Sequence, residues 1–186
     1  TKTGGYYRVF TPYWNAVKNR TVEAPLPKVT HLSAPREWPK SEKLLDWHME
    51  KGMGRGVDVV RAHVQLGETV ANARLAEFLE HDVEFYSQYR DIPSRQGTSG
   101  LAENLALGEI SPRQCWHSAM RAHMDGNKGA EAFLRQLVWR DFAYHLLYHT
   151  PHIAHSNWKP DWDKFPWSRD ESDPKVLAWK QGRTGI

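Results

Sequence analysis

The longest helical pattern in the sequence runs from 130 to 149, and it restricts the possible folds more than any other segment. Apolar side chains recur there at spacings of three and four residues, which is typical of a helix with one buried face. Pro151 follows the end of the pattern, where a helix cannot easily continue. The apolar positions are Phe133, Leu134, Leu137, Val138, Phe142 and Leu146. Since no alternating run of strand type occurs elsewhere in the sequence, we expect an all-α fold.

Shorter helical patterns precede and follow this segment. Apolar side chains between 71 and 89 have helical spacing, and Pro93 ends that run. Ser111-Pro112-Arg113-Gln114 is typical of a helix start, because serine caps, proline suits the first turn and Gln114 completes a capping box. Further helices are expected at 41–51, 101–107 and 174–180, about six or seven in all, whereas 52–66 could be strand or irregular.

Residues 1–40 show little periodicity and contain five prolines, so we expect an extended linker there. The helical domain would then cover 41–186. Because a domain seldom opens with so long a structureless stretch, we expect a further domain before Thr1 in a longer parent protein. The sequence around Gly182 to Ile186 has no polar tail, and we expect the helical domain to be truncated there.

Composition excludes some classes of protein. No apolar run approaches the ~18 residues of a membrane span, so we expect no membrane partner. The single cysteine, Cys115, rules out an internal disulfide and favours the cytoplasm. The net charge of +3 is compatible with a polyanion without requiring one. The nine tryptophans suit packing, base stacking or redox chemistry, and composition does not distinguish these roles.

Two segments have the composition of a binding site. Thr98 and Ser99 lie between glycines just before a helix, which suits either a bound phosphate or ordinary helix capping. Gln136 lies beside Trp139 and Arg140 on the long helix, because spacings of three and four residues share a face. An amide, an indole and a guanidinium suit a base and a phosphate, although a half-buried helix with a surface ion pair would have the same pattern.

The histidines near the end of the long helix invite a metal interpretation. His145 and His149 are four residues apart, and His152 and His155 follow. The run lacks the His-Glu-x-x-His pattern and has no cysteine nearby, so we expect no metal site. No Gly-x-Ser-x-Gly segment occurs, which disfavours a nucleophilic triad.

Six short segments in register resemble the DNA photolyase and cryptochrome family, and in particular the class I bacterial photolyases. They are 8–14, 86–91 with 97–101, 108–113, 133–142, 165–167 and 178–185. The resemblance covers essentially the whole chain, and six ordered segments are far more specific than any one of them. It implies the first half of the helical FAD-binding domain, preceded by the interdomain linker.

The resemblance also implies a function. The parent would be an enzyme that repairs pyrimidine dimers in DNA by light-driven electron transfer from reduced FAD, with the dimer flipped out of the duplex. FAD would be lined by Tyr86, Thr98, Ser99, Leu101, Phe133 and Arg140. Gln136 and Trp139 would face the dimer as catalytic residues and DNA contacts. Arg90 would contact a DNA phosphate, and Trp167 would be the outer, solvent-facing member of the tryptophan chain that photoreduces flavin.

Four positions depart from the family pattern. Gly100 replaces a basic residue, Ala102 replaces serine, and Phe133 replaces tryptophan. Gln136 replaces the glutamate that is usual in photolyases specific for cyclobutane dimers, which leaves the lesion open between cyclobutane dimers and 6-4 products. A cryptochrome photoreceptor without repair activity is therefore one alternative, and a helical nucleic-acid-binding module without flavin is another.

The expected truncation has consequences for the chain itself. The second half of the flavin domain and the domain that holds an antenna pigment would both be absent. We therefore expect weak or no FAD binding by this fragment, and no repair activity. The uncovered apolar helix faces would favour self-association.

Overall fold

A computed structural model describes residues 4–185, and all the regular secondary structure in that range is helical. The α-helices are α1 (Phe10–Val17), α2 (Gly56–His63), α3 (Glu68–Glu77), α4 (Tyr86–Tyr89), α5 (Ala102–Leu107), α6 (Pro112–Met124), α7 (Gly129–His149) and α8 (Pro174–Lys180). The expected all-α class is confirmed. No helix in this range is both long and apolar enough to cross a membrane.

The two strongest helix predictions rest on local caps that the structure contains. The Ser111 hydroxyl accepts from the Gln114 N–H (3.1 Å), and the Gln114 side chain accepts from the Ser111 N–H (2.9 Å), which completes the capping box of α6. The Asn127 side chain accepts from the N–H groups of Gly129 and Ala130 at the start of α7. Both helices therefore begin where a side chain satisfies otherwise unpaired amides.

The linker prediction for 1–40 is wrong in one part, because α1 forms within it. Pro12 lies in the first turn of this helix, where its missing N–H is not needed. Phe10 and Tyr13 are buried, and the Tyr13 hydroxyl donates to the Asp141 carboxylate of α7. Residues 21–40 have no regular secondary structure, and almost all of them are exposed, while the assignment of this segment as an interdomain linker stays a prediction.

Three further predictions need correction. The segment 41–51 forms two short 3₁₀ turns, Leu44–Trp47 and Met49–Met53, instead of an α-helix. His48 separates them with a φ of +47°, a left-handed conformation that a helix cannot contain. The ambiguous segment 52–66 contains α2 rather than a strand. The helical run up to Tyr89 is broken, because a π-turn at Phe78–Asp82 and a 3₁₀ turn at Val83–Phe85 separate α3 from α4.

By its contacts the chain divides into two compact units, one of residues Phe10–Asp141 and one formed by the residues up to Val9 with those from Phe142 onward. The core of the first unit contains an aromatic cluster. Phe78 lies 4.9 Å from Phe133 and 5.6 Å from Tyr86 between ring centroids, and Tyr86 meets Phe133 edge to face. This cluster joins the helices before the glycine-rich loop to α7.

Gly129 allows α7 to approach the preceding turn closely. A Cβ atom at this position would lie 1.8 Å from the Val83 carbonyl oxygen and 2.6 Å from that of Glu84. These atoms belong to the backbone of a packed turn and cannot move away cheaply, so only glycine fits at the first position of α7. This contact sets where the helix that carries the candidate site begins.

In the second unit, aromatic and histidine side chains pack together. The Tyr6 ring stacks on His149 with centroids 4.9 Å apart, and the Tyr7 N–H donates to His145 Nε2 (3.1 Å). Two 3₁₀ turns, Pro151–Ala154 and Pro160–Lys164, precede α8. Most side chains from 155 to 185 are exposed.

Candidate functional site

The loop 97–101 is held from two sides. A Cβ atom on Gly97 would lie 2.5 Å from the Tyr89 Cβ and 2.6 Å from its carbonyl carbon, so the loop backbone passes directly against the end of α4. At the other end, the Gly100 carbonyl accepts a hydrogen bond from Arg74 of α3 (3.1 Å). Gly100 has a φ of +61°, a conformation that glycine adopts without strain. The path of the loop is therefore determined by neighbouring helices.

Arg74 extends this support into the core. The same guanidinium donates to the Glu103 carboxylate (2.6 Å) and to the Asn104 side-chain oxygen (3.1 Å). Asn104 is completely buried, and its amide donates to the Glu109 carboxylate at 2.7 Å. A buried amide with both ends satisfied fixes the geometry around it, because losing a partner would leave a desolvated polar group. Local sequence patterns did not indicate Arg74 or Asn104, because the hydrogen bond between them joins positions 30 residues apart.

A cavity of about 450 Å³ opens beside the loop, and we name it the loop cavity. Its lining is mostly polar and consists of His63, Gln65, Arg74, Glu77, Phe78, Asp82, Gln96, Thr98, Ser99, Gly100 and Glu103. Thr98 is exposed and Ser99 is half-buried, so both hydroxyls can reach a ligand. Hydroxyl donors of this kind fit the phosphate end of FAD. The carboxylates in the lining would oppose a phosphate, and Arg74 offsets only part of their charge.

Three of the expected flavin residues lie in the core instead of lining this cavity. Leu101 is 1% exposed, Phe133 4% and Tyr86 7%. Burial raises the pKa of the Tyr86 hydroxyl above its ordinary value, and the nearby Arg90 charge partly opposes that rise. Within residues 4–185, these three side chains therefore belong to the packed core next to the loop cavity and not to its lining.

Arg140 is half-buried on α7, and it is absent from the lining of the loop cavity. Its charge acts on the buried Cys115 thiol of α6. Burial nevertheless raises the pKa of that thiol to about 11, because the desolvation of the thiolate outweighs the attraction of the guanidinium. The convergence of Arg140 with Thr98 and Ser99 on one phosphate stays a prediction.

The residues expected to meet DNA come together in a second cavity. It has a volume of about 200 Å³, and we name it the arginine cavity. Its lining consists of Ser87, Arg90, Ala132, Arg135, Gln136 and Trp139. Arg90, Gln136 and Trp139 thus lie at one place, although they come from two separate segments. Sequence reasoning missed Arg135, which its position four residues before Trp139 on α7 would have indicated.

Trp139 is oriented by α1. Its indole is 44% exposed, and one of its faces is covered by the Phe10 ring at a centroid distance of 3.8 Å. The Phe10 ring therefore holds the plane of this half-exposed indole.

Trp167 lies in the second unit and is 54% exposed. Its indole N–H donates to the Trp162 carbonyl (2.9 Å), and the Phe165 ring lies 4.6 Å away. The position near solvent agrees with the expected outer electron donor, whose role itself stays a prediction.

The histidines of the second unit pack against aromatic rings. The His145 and His149 rings meet edge to face at 4.6 Å. Among residues 4–185, no group of three histidine, cysteine, aspartate or glutamate side chains has the arrangement of a metal site.

The described residues thus form an all-helical fold with a hydroxyl-bearing loop and a cavity lined by arginine, amide and indole groups. Residues 133–186 match the family described as the FAD binding domain of DNA photolyase. The chain is similar over its whole length to members of the DNA photolyase family, and its fold is that of the family's helical FAD-binding domain.

Individual relatives agree with this assignment. The chain is 38% identical to a deoxyribodipyrimidine photo-lyase of Agrobacterium fabrum, over 100% of this chain and 39% of that protein. It is 38% identical to one of Thermus thermophilus (97% and 38%) and 33% identical to one of Escherichia coli (96% and 37%). The chain therefore spans about two fifths of the length of these relatives.

A solved structure has the same fold. It is described as a bacterial class III photolyase from Agrobacterium tumefaciens, with a TM-score of 0.88 and 36% identity over 98% of this chain and 38% of that one. The subclass expected from the sequence was class I, and that assignment stays a prediction.

Proposed function

We propose that the whole protein to which this chain belongs is a light-driven, FAD-dependent photolyase that splits pyrimidine dimers in DNA. The observation that carries the proposal is the arginine cavity, where Arg90, Gln136 and Trp139 combine a cation, an amide and a half-exposed indole. Similarity to proteins named photo-lyases extends over the whole chain and supports it. No relative reported above favours a cryptochrome or a flavin-free module.

Three residues of the arginine cavity have proposed tasks. The Trp139 indole stacks on a base of the flipped dimer, and its orientation is already fixed by Phe10. The Gln136 amide both donates and accepts, so it can pair with a polar edge of that base. Arg90 neutralises a phosphate next to the flipped nucleotide. The dimer enters the site only after it leaves the duplex.

The chain's proposed contacts with FAD lie around the loop 97–101. FAD supplies the electron for dimer splitting when it is reduced and excited by light. Thr98 and Ser99 donate to its phosphates, and Arg140 adds a cation. Tyr86, Leu101 and Phe133 form the packed wall behind the site. Trp167 delivers electrons from solution during photoreduction.

Three further expectations belong to this proposal. The whole protein acts in the cytoplasm and carries an antenna pigment outside this chain. The isolated chain of 186 residues binds FAD weakly or not at all, and it self-associates through exposed apolar side chains such as Leu147 and Trp179. Sedimentation of the isolated chain with an absorbance scan at the flavin band tests this. A yellow monomer of 21.5 kDa would contradict it.

The test of the main proposal uses the whole protein with bound flavin. Illumination should restore dimer-containing DNA, and Trp139→Ala should weaken binding to that DNA by about tenfold, because a base–indole stack contributes ~1–3 kcal/mol. Flavin content should remain unchanged. If affinity for damaged and undamaged DNA fell equally, Trp139 would not be the residue that reads the lesion.

A further inference from the structure

Two guanidinium groups line the arginine cavity. Arg90 follows α4, and Arg135 belongs to the second turn of α7. The same small volume of about 200 Å³ is bordered by the Ser87 hydroxyl and the Gln136 amide, and its lining includes no carboxylate. Two cations and neutral hydrogen-bonding groups around one cavity favour an anion.

Arg135 is available for such an anion. Its side chain is exposed, and within residues 4–185 no carboxylate lies at ion-pair distance from it. The guanidinium carbon lies 6.0 Å from the centroid of the Trp14 indole. A guanidinium packed on an aromatic face keeps its charge and can direct its N–H donors outward. Because it is already ordered, it loses less conformational freedom when it binds an anion.

Arg90 is held differently. It contacts the Tyr86 ring at 5.8 Å, and its Nε atom lies 3.4 Å from the Asp91 carboxylate. Asp91 is 80% exposed at its side chain, so water screens this ion pair strongly. Arg90 also hydrogen-bonds the Tyr86 side chain, and a guanidinium with five N–H donors keeps others for an anion in the cavity.

We propose that Arg135 and Arg90 together bind one phosphodiester group of the DNA strand whose base stacks on Trp139. Arg135 lies one helical turn before Trp139 on α7, so a phosphate at its guanidinium is within a nucleotide's reach of the indole. The inference rests on the proposed function for its ligand, and it adds a phosphate contact that the sequence motifs did not indicate. Arg135 contributes affinity, whereas base recognition belongs to Trp139 and Gln136.

The experiment uses the flavin-loaded whole protein and measures its affinity for dimer-containing and undamaged duplexes over a series of salt concentrations. Arg135→Gln is the main variant, because it keeps most of the stem over Trp14 and removes the charge. It should weaken binding to both duplexes by about tenfold at low salt. The slope of log affinity against log salt should fall by about one unit. Arg135→Lys should retain the slope and lose part of the affinity.

Arg121→Ala is the matched control, because Arg121 is exposed on α6 and donates to a neighbouring hydroxyl, that of Ser118. It should leave affinity and slope unchanged. A wild-type slope in Arg135→Gln would overturn the inference, and so would a loss of affinity that is explained by a lower melting temperature. If the wild-type protein binds DNA without preferring the dimer, the proposed function fails. The salt dependence of Arg135→Gln would still show whether Arg135 contacts a phosphate.

Discussion

The Phe10 ring lies parallel to the Trp139 indole, with centroids 3.8 Å apart and ring planes 9° from parallel. Three residues on, Tyr13 donates to Asp141, so α1 is attached to α7 at two points. The first helix of the chain therefore positions the side chain that we propose to stack on a flipped base.

Phe10→Leu in the whole protein should lower the preference for dimer-containing over undamaged DNA about threefold to tenfold, because the indole loses the ring that orients it. Unfolding free energy should fall by about 1–1.5 kcal/mol, since Phe10 is 4% exposed. Competition binding and thermal unfolding measure the two effects. Phe85→Leu, on a 42% exposed ring, is the control and should leave the preference intact.

Gly129→Ala should destabilise the protein by about 3 kcal/mol or more, because the new methyl group would overlap the carbonyl oxygens of Val83 and Glu84. Urea unfolding measures this. Gly52→Ala adds the same group in open space and should change stability by less than about 1 kcal/mol. Equal effects in the two variants would mean that Gly129 tolerates a side chain.

In the whole protein, Arg74→Ala should weaken FAD binding about tenfold, because the Gly100 carbonyl, Glu103 and the buried Asn104 lose a shared donor. Titration of the apoprotein with FAD gives the affinity, and amide exchange at 98–101 reports the loop. Arg61→Ala, which removes an exposed ion pair to Glu50, is the control. Lower stability with unchanged FAD affinity and loop exchange would show that Arg74 has no part in positioning the loop.

Cys115 makes stability depend on alkaline pH. In the unfolded chain a thiol loses its proton near pH 8.5, whereas burial raises the pKa of the folded thiol to about 11. Between these values the unfolded state binds fewer protons, so the free energy of unfolding falls as pH rises, by up to about 1.4 kcal/mol per pH unit. Below pH 8 this contribution is constant.

Cys115→Ala removes the thiol and retains Tyr13 and Tyr86, whose pKa values are also raised by burial. The stability difference between wild type and variant should therefore shrink as pH rises from 8 to 10, because only the wild type has the thiol penalty. Denaturant unfolding at each pH measures the difference. A constant difference would contradict the burial of an uncharged thiol.

Trp167→Phe should slow the photoreduction of flavin in the whole protein and leave repair by the pre-reduced enzyme unchanged. The reason is that an indole 54% exposed can exchange electrons with a reductant in solution. Absorbance changes under blue light with an external reductant measure the rate. Trp179→Phe, on an indole 72% exposed, is the control. Equal loss of photoreduction and repair would indicate a folding defect.

Local sequence signals predicted the helices that depend on local interactions. The capping box at Ser111 and the long apolar pattern of α7 both appear where expected. By contrast, α1 was missed, because its stability comes from Phe10 and Tyr13 packing on residues more than a hundred positions away. The helix expected at 41–51 does not form, because His48 has a left-handed backbone conformation, which the spacing of apolar residues does not reveal.

In the candidate site, too, residues within short motifs were predicted and residues that depend on distant contacts were not. Arg90, Gln136 and Trp139 were indicated by motifs, and they meet in one cavity. Arg74 acts through partners 26 to 30 residues away, so no short motif includes it. The spacing of Arg135 from Trp139 places both on one helix face, whereas the exposure of Arg135 and its contact with the Trp14 ring become visible only when the chain is folded.

The π-turn at Phe78–Asp82 has a consequence for how the whole segment meets its neighbours. Continuing the α-helical period from Leu75 and Phe78 would direct Asp82 inward, where a carboxylate would have to lose its hydration. The wider turn takes up one additional residue, so Val83 becomes buried and Asp82 moves to the edge. The 3₁₀ turn at Val83–Phe85 then winds more tightly, so Tyr86 returns to the buried face on which an uninterrupted α-helix would also place it. The change of face is therefore confined to the few residues between α3 and α4.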